Sequence, residues 1–379
     1  MGDGIMKIGL ITYHSAYNFG SVLQAYATQT VIKRIAGNCE IINYRTKEQK
    51  RVYSIFVWSK GWRVLISAVN NGLALLKLRE KKKRIDAYEK LFSEIFTLSP
   101  ECTEPEDVYK IWDRYDLIVS GSDQIWNKHS KELHYVSWDY MMPYLLKGYG
   151  GRKVSYASSI AHMSDEEIEK ILPYIDQFDS VSVREYSSAQ KLDKLCKVHV
   201  ENVLDPTFLL DKEEWIKRFD LQRSEGDEYI LFYALNRRRD IREVLPLIEK
   251  YSGIRGLKVK MISPLGFFKS SKNVEILENV APVEFLTLLY NAKTVITDSY
   301  HGTILSVNFE KDIYSICGKN ASDFRKTDIL GRIGLQDRII NDVNDLLSDQ
   351  FEAIDYAAVG SELQKLREKS MGYLEKALS

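Results

Sequence analysis

Residues 294–307 read TVITDSYHGTILSV, a pattern that predicts a strand followed by a turn directly into a helix. The apolar start, Thr294–Ile296, predicts a buried strand, and Ile304–Val307 predicts the start of a helix. In an open α/β sheet such a turn lies at the carboxyl end of a strand, where ligands bind. The imidazole at this turn, His301, can donate or accept a proton near neutral pH. An ordinary helix N-cap beside an incidental histidine explains the same residues equally well.

The same alternation of strand and helix recurs along the chain and predicts an α/β fold. Apolar runs predict strands at residues 7–13, 40–44, 115–120, 153–157, 180–183, 229–233, 257–262, 294–297 and 312–316. Helical spacing predicts helices from Val22, over 61–97, 165–177, 241–251 and 282–291, from Gly302, and over 356–378.

The alternation restarts after Val203–Thr207, which predicts two Rossmann-like domains that face each other across a cleft. At 379 residues the chain exceeds the length that one hydrophobic core usually supports. We expect an N-terminal domain over residues 1–204, the sugar-acceptor side, which the C-terminal helix at residues 355–379 joins. The second domain then spans residues 205–354 and carries His301.

Composition and missing motifs exclude several functions. Lys+Arg and Asp+Glu both number 53, so the chain lacks the basic excess of a nucleic-acid-binding protein. A GxGxxG after the first strand, a GxxxxGK[ST] loop and an HExxH pair are all absent from the sequence. The four cysteines are scattered without a CxxC pair, so we expect neither a zinc site nor a disulfide framework.

The sequence predicts a cytoplasmic protein. Its N-terminal residues lack an apolar signal region, and the apolar-leaning segment Val52–Leu78 contains too many polar residues to span a bilayer. Phe56, Trp58 and Trp62 lie beside basic residues in this segment, a pattern that is compatible with a peripheral contact with the inner face of the membrane. A core helix or an interdomain flap explains the same pattern.

Two loops of the first half carry candidate sugar contacts. Asn18 begins a helix, where backbone N–H groups favour an anion or a sugar hydroxyl, although a capping role explains it nearly as well. Residues 120–127 (SGSDQIWN) combine a carboxylate, hydroxyls, amides and an indole, a mixture that is typical of carbohydrate binding. The candidate acceptor-binding residues here are Ser122, Asp123, Gln124 and Trp126, and a rigid turn with a buried Trp126 is the alternative.

Candidate catalytic groups follow two other strands. Arg184, at the end of a predicted strand, suits a bidentate clamp for a carboxylate or phosphate, and a structural Arg184–Glu185 pair fits equally well. Asp298 and Ser299 are placed to orient the imidazole of His301. An arginine clamp, an acid–base histidine and a sugar-binding loop together suit group transfer from an anionic donor to a sugar.

Four segments, in this order along the chain, resemble motifs of the polysaccharide pyruvyl transferase family. They are Gly121–Asn127 (GSDQIWN), Val181–Glu185 (VSVRE), Asp205–Thr207 (DPT) and Thr297–Gly302 (TDSYHG). The opening Ile11–Ala25 is similar to that of many bacterial members, and the resemblance runs from about Lys7 to about Leu335.

The resemblance implies a GT-B-like fold and transfer of a pyruvyl group from phosphoenolpyruvate to two hydroxyls of a sugar, forming a cyclic ketal. It implies that His301 is the acid or base and that Arg184 holds the anionic donor. Ser299 and Tyr300 stand at donor-side positions where many members carry a basic or apolar pair, and Arg325 is a second candidate for the phosphate. The implied acceptor is a sugar or lipid-linked oligosaccharide of a surface-polysaccharide precursor. Phosphoenolpyruvate is the co-substrate, and the scheme requires neither a cofactor nor a metal.

Two other functions fit the sequence. One is a GT-B-type glycosyltransferase that uses a nucleotide sugar. The other is a non-catalytic sugar-binding protein, which the presence of both His301 and Arg184 disfavours.

Overall fold

The computed structural model describes residues 6–56, 71–72, 75, 78–161, 163–224, 226, 228–235, 238–262, 270–318, 323–348 and 352–379. The chain divides into two compact units. Unit 1 contains the residues up to Leu209 together with Glu368–Ser379, and unit 2 contains Leu210–Arg367. The sequence pattern placed the two boundaries earlier, after residues 204 and 354.

Unit 1 is built on short parallel strands. They are β1 (Ile8–Ile11), β2 (Glu40–Ile41), β3 (Leu117–Ser120), β4 (Arg152–Ser155), β5 (Val181–Val183) and β6 (Val200–Asn202). The first four form a sheet with the order β2-β1-β3-β4, and β5 pairs with β6. Isolated bridges, Val154–Ser180 and Ser158–Val183, link the two groups of strands. The strand order reverses between β1 and β3, the position at which open α/β sheets bind ligands.

Unit 2 contains one parallel sheet. Its strands are β7 (Tyr229–Tyr233), β8 (Lys258–Ile262), β9 (Val274–Leu277), β10 (Thr294–Thr297), β11 (Asp312–Ile316) and β12 (Ile339–Ile340). Their order is β12-β11-β10-β7-β8-β9, which is the strand order of a Rossmann fold. The order reverses between β7 and β10, whose last residues Tyr233 and Thr297 lie side by side.

Helices connect the strands, as parallel pairing requires. The described α-helices are α1 (Phe19–Ala36), α2 (Lys47–Val52), α3 (Leu78–Ile95), α4 (Pro105–Tyr109), α5 (Asp165–Glu169), α6 (Leu172–Ile175), α7 (Tyr186–Leu195), α8 (Lys212–Phe219), α9 (Arg238–Arg255), α10 (Pro282–Asn291), α11 (Tyr300–Asn308), α12 (Phe324–Arg332) and α13 (Tyr356–Leu378). Short 3-10 helices occur at Trp112–Arg114, Trp138–Leu145, Pro206–Phe208, Gln336–Arg338 and Val343–Ser348. Each described helix is too short or too polar to cross a bilayer.

The central strands are buried along their whole length because helices cover both faces of a parallel sheet. Every residue of β1 (IGLI), β3 (LIVS) and β10 (TVIT) is buried. These continuous apolar runs explain why the strands could be predicted from the sequence.

The predicted α/β fold with Rossmann-like sheets is confirmed. β7, α10, β10, β11 and α13 have the predicted bounds. The single helix predicted over 165–177 is wrong, because the chain there forms α5 and α6. Pro173 lies in the first turn of α6, where its missing N–H disfavours a continuous helix. Of the helix predicted over 61–97, residues 61–70 lie outside the described residues, as do Trp58 and Trp62.

The end of α13 packs against the sheet of unit 1. The Tyr373 hydroxyl donates to the Ser155 carbonyl (2.7 Å), and the Leu204 N–H donates to the Ser370 hydroxyl (2.9 Å). Arg152 donates to the carbonyl of Ala377 (3.0 Å). The last turns of the chain therefore belong to the unit formed by its first half.

Candidate functional site

His301 lies in the first turn of α11, directly after the carboxyl end of β10. The Thr297 hydroxyl donates to the Tyr233 carbonyl (2.6 Å) and accepts from the Ser299 N–H (3.0 Å). The Ser299 hydroxyl caps the helix by accepting from the Gly302 N–H (3.2 Å). These bonds fix the turn at the point where the strand order reverses, so half-exposed His301 stands where ligands bind in such sheets.

Gly302 lets α11 approach the sheet closely. A Cβ at this position would lie 2.7 Å from the Thr297 hydroxyl oxygen and 3.0 Å from a ring carbon of Tyr233. A larger residue would push the helix away from the strand ends and move the adjacent His301.

The structure brings three of the predicted donor-side and catalytic residues together. The Tyr300 ring meets the His301 imidazole edge-on, with centroids 5.1 Å apart. The Arg325 guanidinium carbon lies 5.2 Å from the centroid of the same Tyr300 ring, within cation–π range. Arg325 extends from α12, so a positive charge stands over the Tyr300 ring at the amino end of α11.

Asp298 ties the β10 loop to the neighbouring strand. Its carboxylate accepts from the Leu235 N–H (2.7 Å), just past the end of β7. The role predicted for Asp298 in orienting His301 stays a prediction. Its observed contact fixes the loop at the point where the strand order reverses.

Lys326 is a buried cation behind this loop that the sequence reasoning missed. It is 1% exposed, and its ammonium donates to the carbonyls of Ile316 (2.5 Å) and Asp298 (2.9 Å) and pairs with Asp323 (2.8 Å). It therefore holds the residues at the carboxyl ends of β10 and β11 together. The sequence signal was slight: an Asp and a Lys three residues apart, next to Arg325.

In unit 1, loops from β1 and β3 meet where the strand order reverses. The Asn18 side chain accepts from the Gly20 N–H (2.9 Å) and caps α1. One oxygen of the Asp123 carboxylate accepts from the Ser21 hydroxyl (2.9 Å), and the other accepts from the Gln124 N–H (2.8 Å). The structure thus brings the Asn18 and Asp123 loops together, and both Asn18 and Gln124 are half-exposed.

Two predicted sugar contacts are corrected by the structure. Trp126 is 0% exposed, and its indole N–H donates to the Tyr144 carbonyl (3.0 Å), so it has no ring face available to a sugar. Ser122 is also 0% exposed, and its hydroxyl donates to the Ala157 carbonyl (2.9 Å). Both residues are parts of the core, which is the alternative that the sequence left open for Trp126.

Arg184 is buried at 4% exposure among carboxylates of its own unit. Its guanidinium pairs with Asp205 (2.8 Å), Glu185 (3.2 Å) and Asp123 (3.9 Å). Asp205 also accepts from the Thr207 N–H (3.0 Å). Two of the three guanidinium nitrogens of Arg184 are hydrogen-bonded to carboxylates, and the third is buried with Asp123 at 3.9 Å. The structure therefore favours the structural Arg184–Glu185 pair over the predicted donor clamp.

The part of the chain that the structure describes contains no cluster of metal-binding side chains. Its His, Cys, Asp and Glu side chains nowhere gather in threes in a way that could hold a metal ion.

The sequence model of one protein family, the polysaccharide pyruvyl transferases, matches residues 18–314. The chain belongs to this family. The match includes the loop of Asp123, the Arg184 network and the His301 turn. No curated protein matches the chain.

Solved structures show that this pyruvyl transferase family member has a GT-B-like fold. Arabidopsis thaliana UGT89C1 complexed with quercetin is 10% identical with a TM-score of 0.53, and 99% of each chain is covered. A putative UDP-N-acetylglucosamine 2-epimerase from Listeria monocytogenes is 8% identical with a TM-score of 0.52, covering 96% of this chain and 91% of its own. The predicted fold class, α/β and GT-B-like, is confirmed. The chain spans 64% of the length of a mutant O-GlcNAc transferase from Thermobaculum terrenum, to which it is 13% identical with a TM-score of 0.47, and 98% of the chain itself is covered.

Proposed function

We propose that this protein transfers a pyruvyl group from phosphoenolpyruvate to two hydroxyls of a sugar in a surface-polysaccharide precursor, forming a cyclic ketal. Membership of the polysaccharide pyruvyl transferase family supports a pyruvyl transferase. The single observation that carries the chemistry is the position of His301, at the strand-order reversal of a Rossmann-like sheet and edge-on to Tyr300, the ring that Arg325 also contacts.

The reaction requires a proton at the methylene carbon of phosphoenolpyruvate. Protonation makes that carbon a methyl group and leaves C2 electron-poor. A sugar hydroxyl attacks C2, phosphate leaves with the electrons of its C–O bond, and a second hydroxyl closes the ketal. Of the two hydroxyl protons released, one balances the proton on the methyl group and the other leaves with phosphate.

We assign the protonation of the methylene carbon to His301. A well-placed acid or base contributes roughly 10²- to 10⁴-fold in rate. His301 is half-exposed as a whole residue while its Nε2 atom is buried, and the turn that holds it is fixed by the Ser299 cap and the Thr297 hydrogen bonds.

We assign the donor's anionic groups to the amino end of α11 and to Arg325. Backbone N–H groups and the helix dipole favour negative charge there, and Ser299 and Tyr300 form the first residues of this end. The Arg325 guanidinium supplies a full positive charge beside the Tyr300 ring. Electrostatic stabilisation of this kind is often the largest contribution to catalysis.

We assign the sugar acceptor, free or lipid-linked, to unit 1, where the loops of Asn18 and Asp123 meet. Half-exposed Asn18 and Gln124 and buried Asp123 are the polar candidates that remain after the correction of Ser122 and Trp126. A mechanism that uses these residues with His301 requires both units to reach the same pair of substrates, which stays a prediction.

We also propose a cytoplasmic protein that contacts the inner face of the membrane. Phe56 is 38% exposed and Leu75 is 59% exposed, and the Lys82 and Lys83 side chains, which follow them in the sequence, are exposed as well. Apolar side chains beside basic ones suit a surface of anionic lipid.

The test is an incubation of the protein with phosphoenolpyruvate and galactose-containing acceptors. We expect phosphate release together with a mass gain of one ketal-linked pyruvyl group on the sugar. A parallel reaction with nucleotide sugars tests the glycosyltransferase alternative. Glycosyl transfer without pyruvyl transfer would overturn the proposal, and sugar binding without either reaction would favour the non-catalytic alternative.

A further inference from the structure

A carboxyl group that the sequence reasoning did not use lies beside the acceptor loops of unit 1. The Tyr53 hydroxyl donates to the Glu132 carboxylate at 2.6 Å. The ammonium of Lys131 lies 4.3 Å from the centroid of the Tyr53 ring. As whole residues Tyr53 and Glu132 are half-exposed and Lys131 is exposed, while the titrating groups of Glu132 and Tyr53 themselves are largely removed from solvent.

Hydrogen bonds and a ring contact connect the segment that carries these side chains to the loops after β1 and β3, where the strand order of the unit 1 sheet reverses. The hydroxyl of Tyr13, two residues past β1, shares a hydrogen bond with the Ser130 hydroxyl (2.8 Å) and lies 3.4 Å from the Gln124 carbonyl oxygen. The Tyr53 ring meets the ring of Tyr17, in the β1 loop, with centroids 5.6 Å apart. Glu132 therefore stands over the same loops that carry Asn18 and Asp123.

The charges around Glu132 suit a proton acceptor. Burial of its carboxyl and, next, the Asp123 carboxylate raise the pKa of Glu132, while the Tyr53 hydroxyl and Lys131 act in the opposite direction. Burial and Glu132 raise the pKa of Tyr53, so that hydroxyl keeps its proton and remains a donor. Burial lowers the pKa of Lys131. A carboxylate whose pKa is raised toward the working pH is a stronger base than an ordinary surface glutamate.

We propose that Glu132 contacts the sugar acceptor and takes the proton of its attacking hydroxyl, with Tyr53 as the positioning residue. This inference rests on the proposed function. The O–H bond of the acceptor breaks, its electron pair forms the new C–O bond to C2 of the donor, and the proton moves to the Glu132 carboxylate.

The first test compares Glu132→Gln with a matched control, Glu104→Gln. Glu104 also accepts from a tyrosine hydroxyl, that of Tyr140 at 2.6 Å, at the start of α4 and in the same unit. We expect Glu132→Gln to lower kcat about 100-fold or more while the KM for phosphoenolpyruvate changes less than twofold. We expect Glu104→Gln to keep wild-type kinetics. A Glu132→Gln enzyme within twofold of the wild-type kcat would overturn the proposal.

A pH profile separates a base from a structural carboxylate. In the wild type, kcat/KM for the acceptor should fall as pH drops through the raised pKa of Glu132, because the protonated carboxyl cannot accept a proton. This acidic limb should disappear in Glu132→Gln. Tyr53→Phe should move the limb to higher pH, because the hydrogen bond that favours the carboxylate is lost. An unchanged limb in both variants would assign the titration to another group and overturn the role of Glu132 as base.

Binding of the acceptor, measured in the absence of phosphoenolpyruvate, tests the role of Glu132 independently of pyruvyl transfer. Calorimetry with a galactose-containing oligosaccharide should give an affinity that Glu132→Ala weakens at least fivefold and Glu104→Ala leaves unchanged. If phosphoenolpyruvate is not consumed but this pattern holds, the proposed function fails while Glu132 remains an acceptor contact. Equal binding by all three proteins, or none by the wild type, would overturn the acceptor site at Glu132.

Discussion

The Tyr300 ring packs edge-on against the His301 imidazole, with the two planes at 81°. Tyr300 is buried at 8% exposure, so it forms a fixed wall for the more exposed imidazole. Because Arg325 lies over the same tyrosine ring, one aromatic side chain sets the positions of both proposed donor-side groups.

Replacing His301 tests the central assignment. We expect His301→Ala to lower kcat by roughly 10²- to 10⁴-fold, because the donor's methylene carbon loses its acid. The melting temperature should stay within a few degrees of the wild type, since the imidazole is half-exposed. His199→Ala is the control, because His199 is an exposed histidine paired with Asp193 at 2.7 Å. Phosphate release near the wild-type rate in His301→Ala would remove this residue from the mechanism.

Replacing Arg325 tests the donor side. We expect Arg325→Ala to raise the KM for phosphoenolpyruvate about tenfold or more, because a hydrogen bond to a charged group contributes about 1.5–3 kcal/mol. The KM for the acceptor should stay within twofold. Arg332→Ala, in the last turn of the same helix α12, is the matched control. Equal effects of the two substitutions, or a change confined to the acceptor, would contradict a donor role for Arg325.

The His301 turn could be predicted from the sequence, whereas much of the surrounding site could not. Continuous apolar runs such as TVIT identify buried parallel strands, and the residues after them then lie at the ligand-binding edge. Residue type alone does not tell whether an aromatic side chain packs inside, so the sequence leaves Trp126 open between a sugar contact and a core residue. The contact of Glu132 with Tyr53 spans 79 positions and leaves no local pattern in the sequence.

Because Lys311 is buried, we expect the free energy of unfolding of unit 2 to depend on pH. Burial, followed by the charges of Arg223 and Lys212, lowers the pKa of Lys311 to about 8, against about 10.4 in an unfolded chain. Below pH 8 both states are protonated, and the folded state bears the full penalty of the buried charge. Between pH 8 and about 10.4 the unfolded state binds more protons, so this group makes stability rise with pH.

We expect Lys311→Met to remove that contribution, which is on the order of 1–2 kcal/mol after solvent screening. Urea unfolding at pH 7.5 and pH 10 measures the difference between wild type and variant at each pH. Lys293→Met is the control, because Lys293 pairs with Glu228 at the surface at 2.5 Å. A wild-type minus Lys311→Met difference that is the same at both pH values would contradict the lowered pKa.

The buried ion pairs of Arg184 lead to a prediction that distinguishes a structural arginine from one that binds the donor. Removing one partner of a buried ion pair typically lowers stability by about 3–5 kcal/mol, because the remaining charges stay buried. We expect Arg184→Ala to lose stability in this range, since Asp205 and Glu185 are themselves 2% exposed. Arg114→Ala breaks the exposed pair with Glu40 (3.2 Å) and should lose less than about 1 kcal/mol.

Kinetics complete the Arg184 test. If Arg184 holds the unit 1 loops in place, its loss should raise the KM for phosphoenolpyruvate and for the acceptor by similar factors, measured well below the melting temperature. Arg184→Lys should recover little of the stability, because a single ammonium cannot reach three carboxylates as the planar guanidinium does. A stable Arg184→Ala enzyme in which only the KM for phosphoenolpyruvate rises would return Arg184 to the donor-binding role that its sequence position suggests.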